Sequence, residues 1–195
     1  MAEELDTWEN LIQEKSLFNI PFWGIRIINF EEKKKELVKL LESYPEEKKG
    51  LQEFATNRPT DRSGLVEQFG SIMNQELKAF TKEIKKDFAI VEIWSVSYAQ
   101  GDSQSAHNHS SMGLSGILYL DLPKDSPETT YIQPWTDHET DTVRHVEVPI
   151  AEGVIVIVPS FVLHFSKPNK SNSKKRIISW DMKILNERKY RKNET

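Results

Sequence analysis

The chain contains no cysteine among its 195 residues. Disulfides, thiolate ligands and a cysteine nucleophile are therefore excluded, and any metal must be held by nitrogen and oxygen donors. It also lacks an apolar run approaching the roughly 20 residues that cross a bilayer. The opening Met-Ala-Glu-Glu-Leu-Asp has neither the basic region nor the apolar core of a secretory leader. A soluble, cytoplasmic protein without a membrane partner is the expectation. No excess of positive charge exists either: the formal net charge is −4, which gives no long-range reason to expect a nucleic-acid partner. Internal repeats and low-complexity tracts are absent. What the chain does have is 37% hydrophobic and 29% charged residues with five tryptophans, a globular composition sufficient for one domain with a real core.

Taken in order, residues 1–15 are acidic and weakly patterned, a short helix or a loose leader. Leu17 to Ile28 is rich in β-branched and aromatic residues but interrupted by Pro21 and Gly24, which suits an edge strand. Asn29 with Glu32 resembles a capping box, and Leu37, Val38 and Leu41 follow at helical spacing, so a helix is expected from about 30 to 44. After a polar loop, Phe69, Ile72, Met73, Leu77, Phe80 and Ile84 mark one face of an amphipathic helix over 65–86.

From residue 88 the period changes. Phe88, Ile90, Trp94, Val96 and Tyr98 alternate with Ser95 and Ser97, as a strand does. Leu114 to Leu120, Val143 to Pro149, the doubly apolar Gly153 to Pro159 and Ile177 to Ile184 supply further strands, with turns and no helices between them. This pattern argues for an antiparallel sandwich or jelly roll, with a helical N-terminal part packed on one face. The expected organisation is a single domain over 1–195: 1–87 mainly helical, 88–185 the jelly-roll core and 186–195 a charged tail. The class is α+β.

His107 and His109 are separated by one residue and project to one side of an extended segment. His164, beyond the doubly apolar strand, can close a metal site on them. His138 and His145 have no partner spacing and read as surface residues. Trp135, in the long loop, reads as a lid, a substrate contact or a packed anchor.

Tyr98-x-x-Gly101-x-x-x-x-x-His107-x-His109, Gly116-Ile-Leu-Tyr119-Leu, Gly153 to Ser160 with His164, and Lys175-Arg176-Ile-Ile-Ser179-Trp180 follow one another in fixed order. Together they resemble the iron(II)- and 2-oxoglutarate-dependent oxygenases, nearest to the prokaryotic and phage group with a His-x-His motif. The resemblance implies a cupin-like double-stranded β-helix and a dioxygenase that uses Fe(II), 2-oxoglutarate and O2 to hydroxylate an unactivated C–H bond, releasing succinate and CO2. By the same resemblance His107 and His164 match iron ligands, and Tyr98 and Tyr119 match tyrosines that reach the cosubstrate carboxylate. A basic residue on the last strand would bind its far carboxylate: Arg176 is the first choice and Lys175 the second, because Arg176 and Ser179 have opposite parity on a regular strand.

His109 stands where most of that superfamily has Asp or Glu. It is taken as the third ligand, with a loop carboxylate such as Asp137, or water or an anion, as alternatives. Two other functions remain open at this point: a three-histidine cupin-type dioxygenase that does not use 2-oxoglutarate, and a non-catalytic jelly-roll binding module.

Overall fold

The run around Gly153 to Pro159 forms a strand inside a seven-stranded antiparallel sheet, covered on both faces, which is why it is apolar on both. The computed structural model describes residues 12–17, 19–48, 54–57, 61, 63–109 and 113–185. The expectations for residues 1–11 and for the tail 186–195 lie outside the described residues.

In chain order the elements are β1 (Ile12–Leu17), β2 (Ile20–Arg26), α1 (Phe30–Glu42), β3 (Ala55–Thr56), α2 (Ser63–Ile72), α3 (Asn74–Ile84), β4 (Phe88–Tyr98), β5 (Gln104–His107), β6 (Leu114–Asp121), β7 (Thr129–Ile132), β8 (His145–Val148), β9 (Val154–Pro159), β10 (His164–Ser166) and β11 (Lys175–Ile184). The large sheet has the order β1-β2-β9-β6-β11-β4-β3, and a four-stranded sheet has the order β5-β10-β7-β8. The two sheets form the jelly roll. None of the described helices is long and apolar enough to cross a membrane.

Each face of the large sheet has its own core. Phe22, Trp94, Val96, Tyr98, Ile117, Tyr119, Val156 and Ile177 point between the sheets, where Tyr131 and Val148 of the small sheet meet them. Ile93, Leu118, Ile155, Ile178 and Trp180 point the other way, against Leu37, Leu40, Leu65, Phe69 and Phe80 of the helices. Strict alternation along β11 therefore sorts odd-numbered residues into the barrel and even-numbered ones under the helices.

Several local expectations change. The segment 20–26 is an interior strand, with β1 outside it. Pro21 is tolerated because pairing with β9 begins only at Trp23. Asn29 makes no side-chain cap; it takes a left-handed conformation (φ 53°), which asparagine tolerates, and its carbonyl accepts from Glu32 N and Lys33 N. The helix expected over 65–86 breaks at Met73, which lets Phe69 meet Trp180 at 5.1 Å and Phe80 meet Trp23 at 5.5 Å. In β4 a bulge next to Val91 shifts the register, so Phe88 and Ile90 pack under the helices while Trp94 faces the barrel. Among the described residues the N-terminal part holds helices α1 to α3 together with strands β1 to β3.

Two fixed points hold the helical layer. Gly116 lies opposite Trp180, and a Cβ there would come within 2.3 Å of the indole. Glu76, fully buried on α3, accepts from Ile28 N at 3.1 Å and pairs with Lys33 of α1 at 2.7 Å.

Candidate metal centre and cosubstrate cavity

His107 ends β5 and His164 begins β10, and the two are direct cross-strand partners. His109 follows β5 by two residues, its main-chain N–H donating to Ser160 O at 3.0 Å. The three side chains form a group whose ligand atoms all lie within 4.8 Å of one another. Their ring centroids are 5.4 Å (His107–His109), 4.4 Å (His107–His164) and 5.2 Å (His109–His164) apart.

In every ring Nδ1 is engaged with an oxygen. His107 Nδ1 donates to Ser105 O at 2.9 Å, His164 Nδ1 to Val162 O at 3.1 Å and His109 Nδ1 to Asp181 Oδ1 at 2.6 Å. Carbonyl and carboxylate oxygens only accept, so the proton of each neutral imidazole sits on Nδ1 and the lone pair on Nε2. Burial and then the neighbouring His107 and His109 lower the His164 pKa to about 3, keeping that ring neutral. Three imidazoles that engage oxygen through Nδ1 and leave Nε2 for a metal, lining an open cavity, fit a first-row divalent ion that keeps positions for other ligands.

The cavity, about 370 Å³ including its open mouth, runs from the three histidines to Lys175 and Ser179 between walls that include Trp94, Val96, Ile117 and Ile177. Lys175 is 1% exposed. Its ammonium donates to Pro127 O at 2.7 Å and Ser166 Oγ at 3.3 Å, and lies 5.5 and 5.8 Å from the Tyr98 and Tyr119 rings. Burial pushes its pKa down to about 8, with Glu128 opposing the shift.

Arg176 turns the other way. Its Nε and Nη2 donate to Asp121 Oδ2 at 2.7 Å, and its side chain is 26% exposed. Strand parity is the reason: 175, 177 and 179 face the barrel and 176 does not. Of the two basic candidates, Lys175, the second choice, lines the cavity, and Arg176, the first, does not.

Tyr98 lines the cavity and donates to Gln104 Oε1 at 2.5 Å, while Gln104 Nε2 donates to His107 Nε2 at 3.2 Å. The Tyr119 hydroxyl is shared with Thr129 Oγ1 at 2.7 Å, so it is the ring of this residue that meets Lys175. Burial raises both tyrosine pKa values, leaving two neutral phenols. Ser179 Oγ, on the cavity wall, donates to Gly116 O at 3.3 Å. His138 and His145 are exposed. Asp137 is held in its own turn by Glu139 N and Thr140 N, which keep its carboxyl below the usual range, and it is not part of the histidine group.

Gln104, Thr129, Ser166 and Asp181 are the site residues that sequence reasoning missed. For Asp181 a signal exists: it shares parity with Lys175 and Ser179 on the last strand. The others sit on strands of three or four residues, too short for periodicity to reveal.

Comparison with known proteins agrees with this geometry. Residues 92–181 match the family model described as "Putative 2OG-Fe(II) oxygenase". No curated protein sequence matches the chain. Among solved structures, an oxidoreductase of the 2OG-Fe(II) oxygenase family from Burkholderia pseudomallei has a TM-score of 0.62 at 12% identity, covering 82% of this chain and 84% of its own. HygX from Streptomyces hygroscopicus, with nickel, 2-oxoglutarate and hygromycin B bound, has a TM-score of 0.64 at 9% identity over 83% and 82%. A Pseudomonas putida prolyl-4-hydroxylase has 0.53 at 15% over 84% and 93%. At such identities the structural likeness shows the fold. The family match itself spans residues 92–181, from β4 into β11, the stretch that carries the three histidines and Lys175.

Proposed function

We propose that the protein is an Fe(II)- and 2-oxoglutarate-dependent hydroxylase in which His107, His109 and His164 hold the metal through Nε2 and Lys175 anchors the cosubstrate. The observation that carries this reading is the buried ammonium of Lys175 in the same cavity as the three histidines. Ser166, its neighbour, lies two residues beyond His164 on the same side of β10. That separation is roughly 7 Å, the length of a five-carbon dicarboxylate. One end of 2-oxoglutarate can therefore reach the metal while the other meets Lys175.

When bound, the metal with 2-oxoglutarate and O2 supplies the oxidising power for C–H hydroxylation, with succinate and CO2 as coproducts. The chain's own residues do the rest. Ser105, Val162 and Asp181 fix the three imidazole tautomers. Lys175 offers a charge-assisted bond to the distal carboxylate, and Tyr98 and Tyr119 flank it with neutral rings. Trp94, Val96, Ile117 and Ile177 keep the walls apolar and exclude water from the cosubstrate. The Gln104 amide, which donates to His107 Nε2, yields that lone pair when a metal arrives.

The test is succinate formation by the purified chain on adding O2 to protein with Fe(II) and 2-oxoglutarate. Slow uncoupled turnover that His164→Ala abolishes is the expected result. No succinate under any loading of metal contradicts the reading. The three-histidine dioxygenase that does without 2-oxoglutarate is disfavoured by the buried ammonium, which has no role in it.

A further inference from the structure

His109 and Asp181 come from distant parts of the chain, the β5–β6 connection and β11, and meet at 2.6 Å. The His109 side chain is 5% exposed and that of Asp181 20%. The same Asp181 oxygen accepts from Ser115 Oγ at 2.7 Å, and Ser115 Oγ is 2.8 Å from Ser160 Oγ. A serine hydroxyl has one proton to give. Since that of Ser115 goes to Asp181, Ser160 donates to Ser115, and the donors run in one direction, Ser160 to Ser115 to Asp181. Ser160 grips His109 a second time through its carbonyl. Ser115 and Ser160 are buried, and neither touches the cavity.

We infer that Asp181 is a positioning residue for the metal. Held by Ser115 and Ser160, it locks His109 with Nε2 toward the metal and brings to the centre, through His109, the negative charge that a ligating carboxylate would otherwise supply. A metal-bound histidine whose other nitrogen donates to a carboxylate is a stronger donor with a fixed ring orientation. The departure from a carboxylate ligand is thereby compensated from one shell further out. The inference rests on the metal-site reading above.

Full-length protein titrated anaerobically with Co(II), without 2-oxoglutarate, tests it through affinity and through the Co(II) d–d spectrum. Asp181→Ala is expected to weaken Co(II) about 10- to 100-fold. Asp181→Asn keeps an acceptor but loses the charge, and is expected to bind with intermediate affinity and a shifted d–d band at saturation. Ser115→Ala is expected to weaken binding less than Asp181→Ala. A purely structural role for Asp181 predicts unchanged spectra at saturation. If Asp181→Asn shows wild-type affinity and an unshifted band, the inference is overturned while the metal site stands. If the wild-type chain takes up no Co(II), the metal-site reading falls and the inference with it.

Discussion

Lys175 and Arg176 are neighbours on β11 that face opposite cores, the ammonium into the barrel and the guanidinium onto Asp121 outside it. Their substitutions should therefore separate cleanly. Losing the charge-assisted bonds of Lys175 to a dicarboxylate removes about 1.5–3 kcal/mol of binding, so Lys175→Met should raise the KM for 2-oxoglutarate by about 10- to 100-fold. Arg176→Gln should leave that KM unchanged and lower stability by no more than about 1 kcal/mol, as a partly exposed ion pair does. Steady-state kinetics on both variants checks the pair.

The Lys175 pKa of about 8 gives a pH dependence of definite sign. Below that value the ammonium is charged and, in the proposed site, would bind the dianion; as pH rises through it the charge is lost and cosubstrate affinity should fall. Stability moves the opposite way. The unfolded lysine titrates near its ordinary value and binds more protons between about 8 and 10.5, so the cost of burying the charge is relieved over that interval. The KM for 2-oxoglutarate should climb above about pH 8 in the wild type and stay flat in Lys175→Arg. A flat wild-type profile over pH 7–9 would remove Lys175 from the cosubstrate site.

Gly116 predicts a steric failure. The Cβ in Gly116→Ala would meet the Trp180 indole, buried on the neighbouring strand, at 2.3 Å. Overpacking of this kind costs about 1–3 kcal/mol. Trimming the partner should recover part of it, so Gly116→Ala with Trp180→Leu should be less than additive in chemical denaturation.

The Lys33–Glu76 pair predicts a stability effect remote from the chemistry. Glu76→Ala would strand the ammonium of Lys33 and the N–H of Ile28. Breaking a buried pair costs about 3–5 kcal/mol, and the residual exposure of Lys33 puts this one near about 3. Thermal unfolding should show a fall of roughly 6–12 °C, with the KM for 2-oxoglutarate of the folded enzyme unchanged.

The long alternating and doubly apolar strands β4, β6, β9 and β11 were legible in the sequence because one or both of their faces meet a core, and that burial writes the period. So was the amphipathic helix α1, to within two residues at its end. The break at Met73 was not: the apolar stripe runs through it, and only docking against Trp180 and Trp23 requires it. Of the small sheet, β8 was expected within Val143 to Pro149, while β5, β7 and β10 were hidden for a different reason. Strands of three or four residues carry at most two inward side chains, below what periodicity can register. At the site, His107, His109 and His164 were grouped from spacing and order together with the family resemblance. Which of Lys175 and Arg176 faces the barrel depends on the register of β11; Lys175 shares parity with Ser179, and the alternation of Ile177 and Ile178 between the two cores puts both on the barrel side.

In the proposed function the three imidazoles and Lys175 form one metal and cosubstrate site. Anaerobic titration of the full chain with Fe(II) in the presence and absence of 2-oxoglutarate, followed by visible absorption, tests it most directly. A charge-transfer band should appear only when both are present, require more 2-oxoglutarate in Lys175→Met, and be absent in His164→Ala. No band at saturating Fe(II) and 2-oxoglutarate, or a band that survives in His164→Ala, would contradict it.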